Sequence, residues 1–128
     1  MTMKHAVLFS IVPALIALSC PAMAQDKACL LEGSFTIGAD RTEIKDCLQN
    51  NGVPKAQFVE TCTSLAQATT AMGGPAAKVT YLAACPAQSQ GACIGFFGQP
   101  MTSYYYKRDA KLLATSKSGC VAQGGKWK

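Results

Sequence analysis

The chain has 128 residues, with twelve Lys and Arg against seven Asp and Glu, a net charge of +5, seven cysteines and one histidine. This length holds a single domain. The basic excess is too small to argue for nucleic acid, although it suits attraction to anionic glycans or headgroups.

The first 24 residues have the three parts of a cleaved secretory signal. Lys4 and His5 give a short basic start, residues 6–18 form an apolar run, and Ala22 and Ala24 are small residues before a cut after Ala24. A run of 13 residues is too short to span a membrane, which needs roughly 20. Residues 17–20 fit a lipobox poorly, because Ala17 stands where Leu is expected and Pro21 follows Cys20. A lipoprotein acylated at Cys20 is therefore disfavoured, and a periplasmic or secreted location is expected. Residues 25–128 remain as a single disulfide-rich domain of net charge +4, without Lys4, His5 or Cys20. Without an imidazole, neither a Ser–His nor a Cys–His nucleophile system is available. No C-x-x-C redox motif and no Gly-rich phosphate loop occurs. We therefore expect no enzyme, no metal site and no cofactor.

Residues 28–36 read as an N-terminal strand, with Gly33 as a weak point. Asp40 and Glu43 match a capping box, which predicts a helix over 41–49 with Ile44, Cys47 and Leu48 on one face. Pro54 then opens a second helix whose small and apolar residues, Phe58, Cys62, Leu65, Thr69 and Met72, recur at helical spacing. That stripe is expected to pack inward. Gly73-Gly74-Pro75 ends it. Residues 77–85 alternate as a strand, residues 92–97 form a second and residues 102–107 a third, which predicts an antiparallel meander. Asp109 caps a last helix over 110–123, and Trp127 follows as an apolar plug. The expected fold class is α+β: a small three-stranded antiparallel sheet, with 28–36 available as a fourth N-terminal strand, packed against two to three helices and stapled by disulfides.

The six remaining cysteines, Cys29, Cys47, Cys62, Cys85, Cys93 and Cys120, are even in number in an exported chain, so three disulfides are expected. Six cysteines allow fifteen pairings. The predicted elements favour Cys29–Cys47, Cys62–Cys85 and Cys93–Cys120, with Cys85–Cys93 the main rival.

Tyr104-Tyr105-Tyr106-Lys107-Arg108 is the surface-like cluster that invites a binding role. Tyrosine beside Lys and Arg suits a glycan, an anionic headgroup or a protein hot spot. Phe96 and Phe97 lie across the expected hairpin and extend the patch to Tyr104, Tyr106, Lys107, Arg108, Phe96 and Phe97. Ordinary strand packing explains the same aromatics. The last third of the chain, from Cys93 through Tyr104-Tyr105-Tyr106 and Cys120 to Gly124-Gly125-Lys126-Trp127, resembles a tail found in small, mostly uncharacterised exported bacterial proteins. The resemblance implies a Cys93–Cys120 bridge and implies no activity.

These readings point to an exported binding module, either an inhibitor or immunity-type protein or a binder of an envelope glycan or lipid. A structural or adhesive envelope protein is the alternative. The carboxylates Glu32, Asp40, Glu43, Asp46 and Glu60 show no catalytic pairing. Asp40 and Glu43 read as caps, and Asp46 and Glu60 as solvated helix faces. The partner is an unknown protein or envelope component, with no nucleic acid and no membrane span after cleavage.

Overall fold

The computed structural model describes residues 26–128. The expected signal, residues 1–24, lies outside them. The chain builds a six-stranded antiparallel sheet with two α-helices on one face. Strand β1, Ala28–Ile37, turns through two residues into β2, Asp40–Asn50. Helix α1, Lys55–Ala71, leads to β3, Lys78–Leu82. Then come β4, Gly91–Ile94, a 3₁₀ turn at Phe96–Gly98, and β5, Met101–Tyr105. Helix α2, Ala110–Ala122, precedes the two-residue β6, Lys126–Trp127. The strand order is β3-β1-β2-β5-β4-β6.

The expected three-stranded meander is thus corrected to six strands. The predicted helix over 41–49 is the middle strand β2, paired on both sides along part of its length. The Asp40-x-x-Glu43 pattern is local, and tertiary pairing overrides it. Gly38, at φ +62°, occupies the first of the two turn residues, where a type II′ hairpin turn takes glycine. That turn returns the chain along β1, pairing Asp40 with Ile37 and Gln49 with Ala28. Strand β3 does not neighbour β4. It pairs with β1 at the opposite side of the sheet. The plug at Trp127 is an edge strand, with Trp127 opposite Cys93 on β4.

Strand register sorts the side chains onto two faces. Cys29, Leu31 and Phe35 of β1 lie opposite Leu48, Asp46 and Thr42 of β2, and Leu48 and Asp46 lie opposite Ser103 and Tyr105 of β5. This set faces the helices. Cys47, Gln49 and Tyr104 face the other way and form the back. Helix α1 lies over β1 and β3, and α2 lies over β4 and β6. Each covers its own core. Under α1, Phe58, Cys62 and Ala66 pack on Cys29, Leu31, Leu48 and Met101. Phe58 is fully buried, which stabilises by roughly 2–3 kcal/mol. Under α2, Cys93, Cys120 and Tyr105 form a smaller cluster with Leu113 and Trp127. Phe96 packs against both.

The disulfides are Cys29–Cys62, Cys47–Cys85 and Cys93–Cys120. The expected Cys93–Cys120 bridge is present. The expected Cys29–Cys47 and Cys62–Cys85 pairs are not, for a steric reason. Cys29 lies opposite Leu48 and Cys47 opposite Leu30, so Cys29 points to the helices and Cys47 to the back. Cys85 also sits at the back, which excludes Cys62 and the rival Cys93. Each bridge ties one covering segment to the sheet: α1 to β1, the segment after β3 to β2, and α2 to β4.

The Gly-Gly-x-Trp tail has a packing role. Gly124 ends α2 at φ +81°. A Cβ on Gly125 would lie 2.8 Å from the sulfurs of both Cys93 and Cys120, so only glycine lets β6 run beside that bridge.

Candidate ligand cleft

The helices cover the flanks of the sheet and leave its middle open. Between the C-terminal half of α1 and the start of α2 lies a cleft of about 400 Å³. This is within the range of small-molecule sites, roughly 300–1,000 Å³. Leu31, Phe35, Ile44 and Leu48 form much of its floor; Leu65 and Met72 come from α1, and Leu112 from α2. Phe96 and Tyr105 contribute aromatic surface. Ile37 and Met72, respectively 62% and 42% exposed, leave apolar surface at its margin.

One charged pair lines this apolar space. Arg108 donates from Nη2 to Oδ2 of Asp46 at 2.7 Å. Asp46 is placed there by strand alternation, since Thr42, Ile44, Asp46 and Leu48 share one face of β2. Arg108 is anchored by its backbone. Its N–H donates to Oε1 of Gln90, and its carbonyl accepts from Nε2 of the same side chain, each at 2.8 Å. Its guanidinium lies 4.6 Å from the centre of the Tyr105 ring, which stacks on Trp127 at 5.6 Å. Burial raises the Asp46 pKa, opposed by the charge and hydrogen bond of Arg108. Burial likewise raises that of Tyr105. The pair is incompletely satisfied: Oδ1 of Asp46 and Nε of Arg108 are buried and have no hydrogen-bond partner.

The back of the sheet is covered over its middle strands, and nearer the β1–β2 turn it carries an open, charged depression of about 350 Å³ lined by Glu32, Ser34, Glu43, Lys45 and Lys107. After β3, residues 83–90 cross behind β2 and β5 to reach β4. Cys85 is bonded to Cys47, and its N–H donates to Oε1 of Gln49. The Tyr106 hydroxyl donates to the Pro86 carbonyl at 2.6 Å. This strap is held by covalent and polar contacts at its centre.

The structure divides the six residues of the expected aromatic–basic patch. Tyr104 and Tyr106 are on the back, Tyr106 engaged with the strap. Lys107 pairs with the exposed Glu43 at 3.1 Å and lowers its pKa. Arg108 and Phe96 turn to the other face and line the cleft. Phe97 is exposed beside Leu65 and Glu60 in a shallow depression outside it. Asp46, read from sequence as a solvated helix residue, is the cleft residue that sequence reasoning missed. Its signal was the alternation Thr42, Ile44, Asp46, Leu48, an acid within an otherwise apolar strand face. Leu65 and Met72, expected as core, line the cleft together with the buried Thr69, and Phe58, Cys62 and Ala66 complete the buried side of α1.

Among the described residues no group of three or more His, Cys, Asp or Glu side chains is placed to hold a metal ion. No helix among them is long and apolar enough to cross a membrane. Three disulfides fit an oxidising, extracytoplasmic compartment. The chain matches no protein-family model, no curated protein and no solved structure.

Proposed function

We propose that this protein is an exported binding module that takes a small, apolar-bodied envelope component into the cleft between α1 and α2. One observation carries the reading. The two middle strands are covered behind by a bridged strap, and in front they floor an apolar cleft of about 400 Å³. Apolar walls with a single polar point are the usual make-up of a small-molecule site. Rigid walls favour binding, because little conformational entropy is lost when the ligand enters.

A neutral apolar dye, N-phenyl-1-naphthylamine, titrated into the oxidised protein tests this. The expected result is saturable binding at one dye per chain, weakened on the order of tenfold by L65Q/L112Q, which removes apolar contact from both walls. Absent or non-saturable binding, or binding that the double variant leaves intact, would contradict the reading.

A further inference from the structure

We propose that the Asp46–Arg108 pair is the polar anchor of this cleft and selects a ligand whose apolar body ends in a neutral head carrying a hydrogen-bond donor beside an acceptor, such as a primary amide or an alcohol. This inference rests on the cleft being the binding site.

The argument starts from what the pair lacks. The bond from Arg108 Nη2 to Asp46 Oδ2 uses one donor and one acceptor. Asp46 Oδ1 still needs a donor and Arg108 Nε–H still needs an acceptor, and no protein group serves either. Buried polar groups left this way cost on the order of 1–3 kcal/mol each, so native proteins hold few of them. Here two occur in one ion pair that lines the apolar cleft between α1 and α2.

The missing partners define the head. An amide offers an N–H to Oδ1 and a carbonyl oxygen to Nε–H, and a hydroxyl offers both from one atom. Charge restricts the choice further. The pair's own charges cancel, so a carboxylate head would be drawn by Arg108 and repelled by Asp46, and an ammonium head the reverse. A neutral head meets neither repulsion and forfeits less hydration on entering. The anchor does not drift, because Gln90 holds the Arg108 backbone and Tyr105 supports its guanidinium. Both unpartnered atoms are sealed in the free protein. Leu112 is the side chain a head would displace to reach them. Leu112 lines both the cleft and an adjoining void of about 10 Å³ beside Arg108.

The test compares four ligands with one chain and different heads: decanamide, decanol, decanoate and decylamine. Each is measured at neutral pH by displacement of N-phenyl-1-naphthylamine from the oxidised protein. Decanamide and decanol are expected to bind on the order of tenfold more tightly than decanoate and decylamine. D46N leaves a net positive site and should move the preference to decanoate. R108Q leaves a net negative site and should move it to decylamine, so the inference stays testable if one variant does not fold. Folding is checked by the fluorescence of Trp127, the chain's only tryptophan. Equal affinity for decanamide and decanoate, or an order unchanged in the folded variants, would overturn the anchor. Dye binding without displacement by any of the four overturns the anchor and leaves the cleft standing. No dye binding overturns both.

Discussion

On β2, Cys47 and Asp46 are neighbours in sequence and face opposite sides of the sheet. Cys47 is fully buried beneath the strap of residues 83–90. Asp46 lies in the cleft, with α1 over one flank of the sheet and α2 over the other. Behind the middle strands the fold provides a disulfide, a side-chain amide and a tyrosine hydroxyl to hold one short segment down. In front no strap is bonded down; the cleft runs between α1 and α2, over floor residues Leu31 and Leu48 that α1 helps to bury. A domain this small has little apolar surface to leave uncovered, so an apolar cleft with Ile37 and Met72 exposed at its margin, opposite a charged back, marks the front as the working side.

Disulfide removal should separate the two faces most strongly. The bridges join residues 27, 33 and 38 apart. In the chain-entropy model each is worth about 3.5–4 kcal/mol, and together they match the whole stability of a typical domain. Full reduction should therefore unfold the protein, with loss of its far-UV circular dichroism transition. A reduced protein that melts at the same temperature as the oxidised one would contradict this. The double variant C47S/C85S loosens only the back. It should lose about 4 kcal/mol in chemical denaturation and, while folded, still bind the apolar dye with near-normal affinity. Loss of dye binding in a folded C47S/C85S protein would show that the two faces are not independent.

The smallest expected effect concerns pH and the front alone. Because the Asp46 pKa is raised in the folded state, the folded protein takes up this proton before the unfolded chain does. Asp46 therefore adds stability as pH falls from its raised pKa toward the ordinary Asp value of about 3.9, and its burial penalty is in force above that window. An exposed carboxylate whose pKa is lowered, such as Glu43 beside Lys107, acts in the opposite sense. Denaturation of the parent and D46N across acidic pH should show the parent gaining on the variant as pH falls. A difference that is flat, or that shrinks on acidification, would contradict the burial of Asp46.

The same contrast explains what the sequence made legible. Both helices could be read because their ends are marked locally. The Asp109 side chain accepts from the Leu112 N–H as a cap, and Gly73-Gly74-Pro75 stops α1. Strands β1 and β5 show their apolar or aromatic character directly. Strand β2 was hidden by a chance capping-box match, and reading it as a helix had two consequences. It placed Asp46 on a solvated face, and it put Cys47 on the same side as its neighbours in the core, which produced the wrong pairs Cys29–Cys47 and Cys62–Cys85. Strand β6 has two residues and exists only through pairing with β4, so no local pattern announces it. The aromatic–basic patch was read as one surface, but the chain bends after Tyr105, and Arg108 returns to the front while Tyr106 stays behind. The cleft depends on which residues of β2 face forward. That is a property of register, and register is set by the Gly38 turn and by pairing across the sheet.

The most direct test of the open front is a methyl NMR titration of the oxidised protein with N-phenyl-1-naphthylamine. The account predicts progressive shifts at Ile44, Leu65 and Leu112, which line the cleft. It predicts unshifted methyls at Leu30 and Leu82, which lie on the strap side of β1 and β3 by register. Shifts confined to Leu30 and Leu82, or no saturable shift at any of the five, would contradict it.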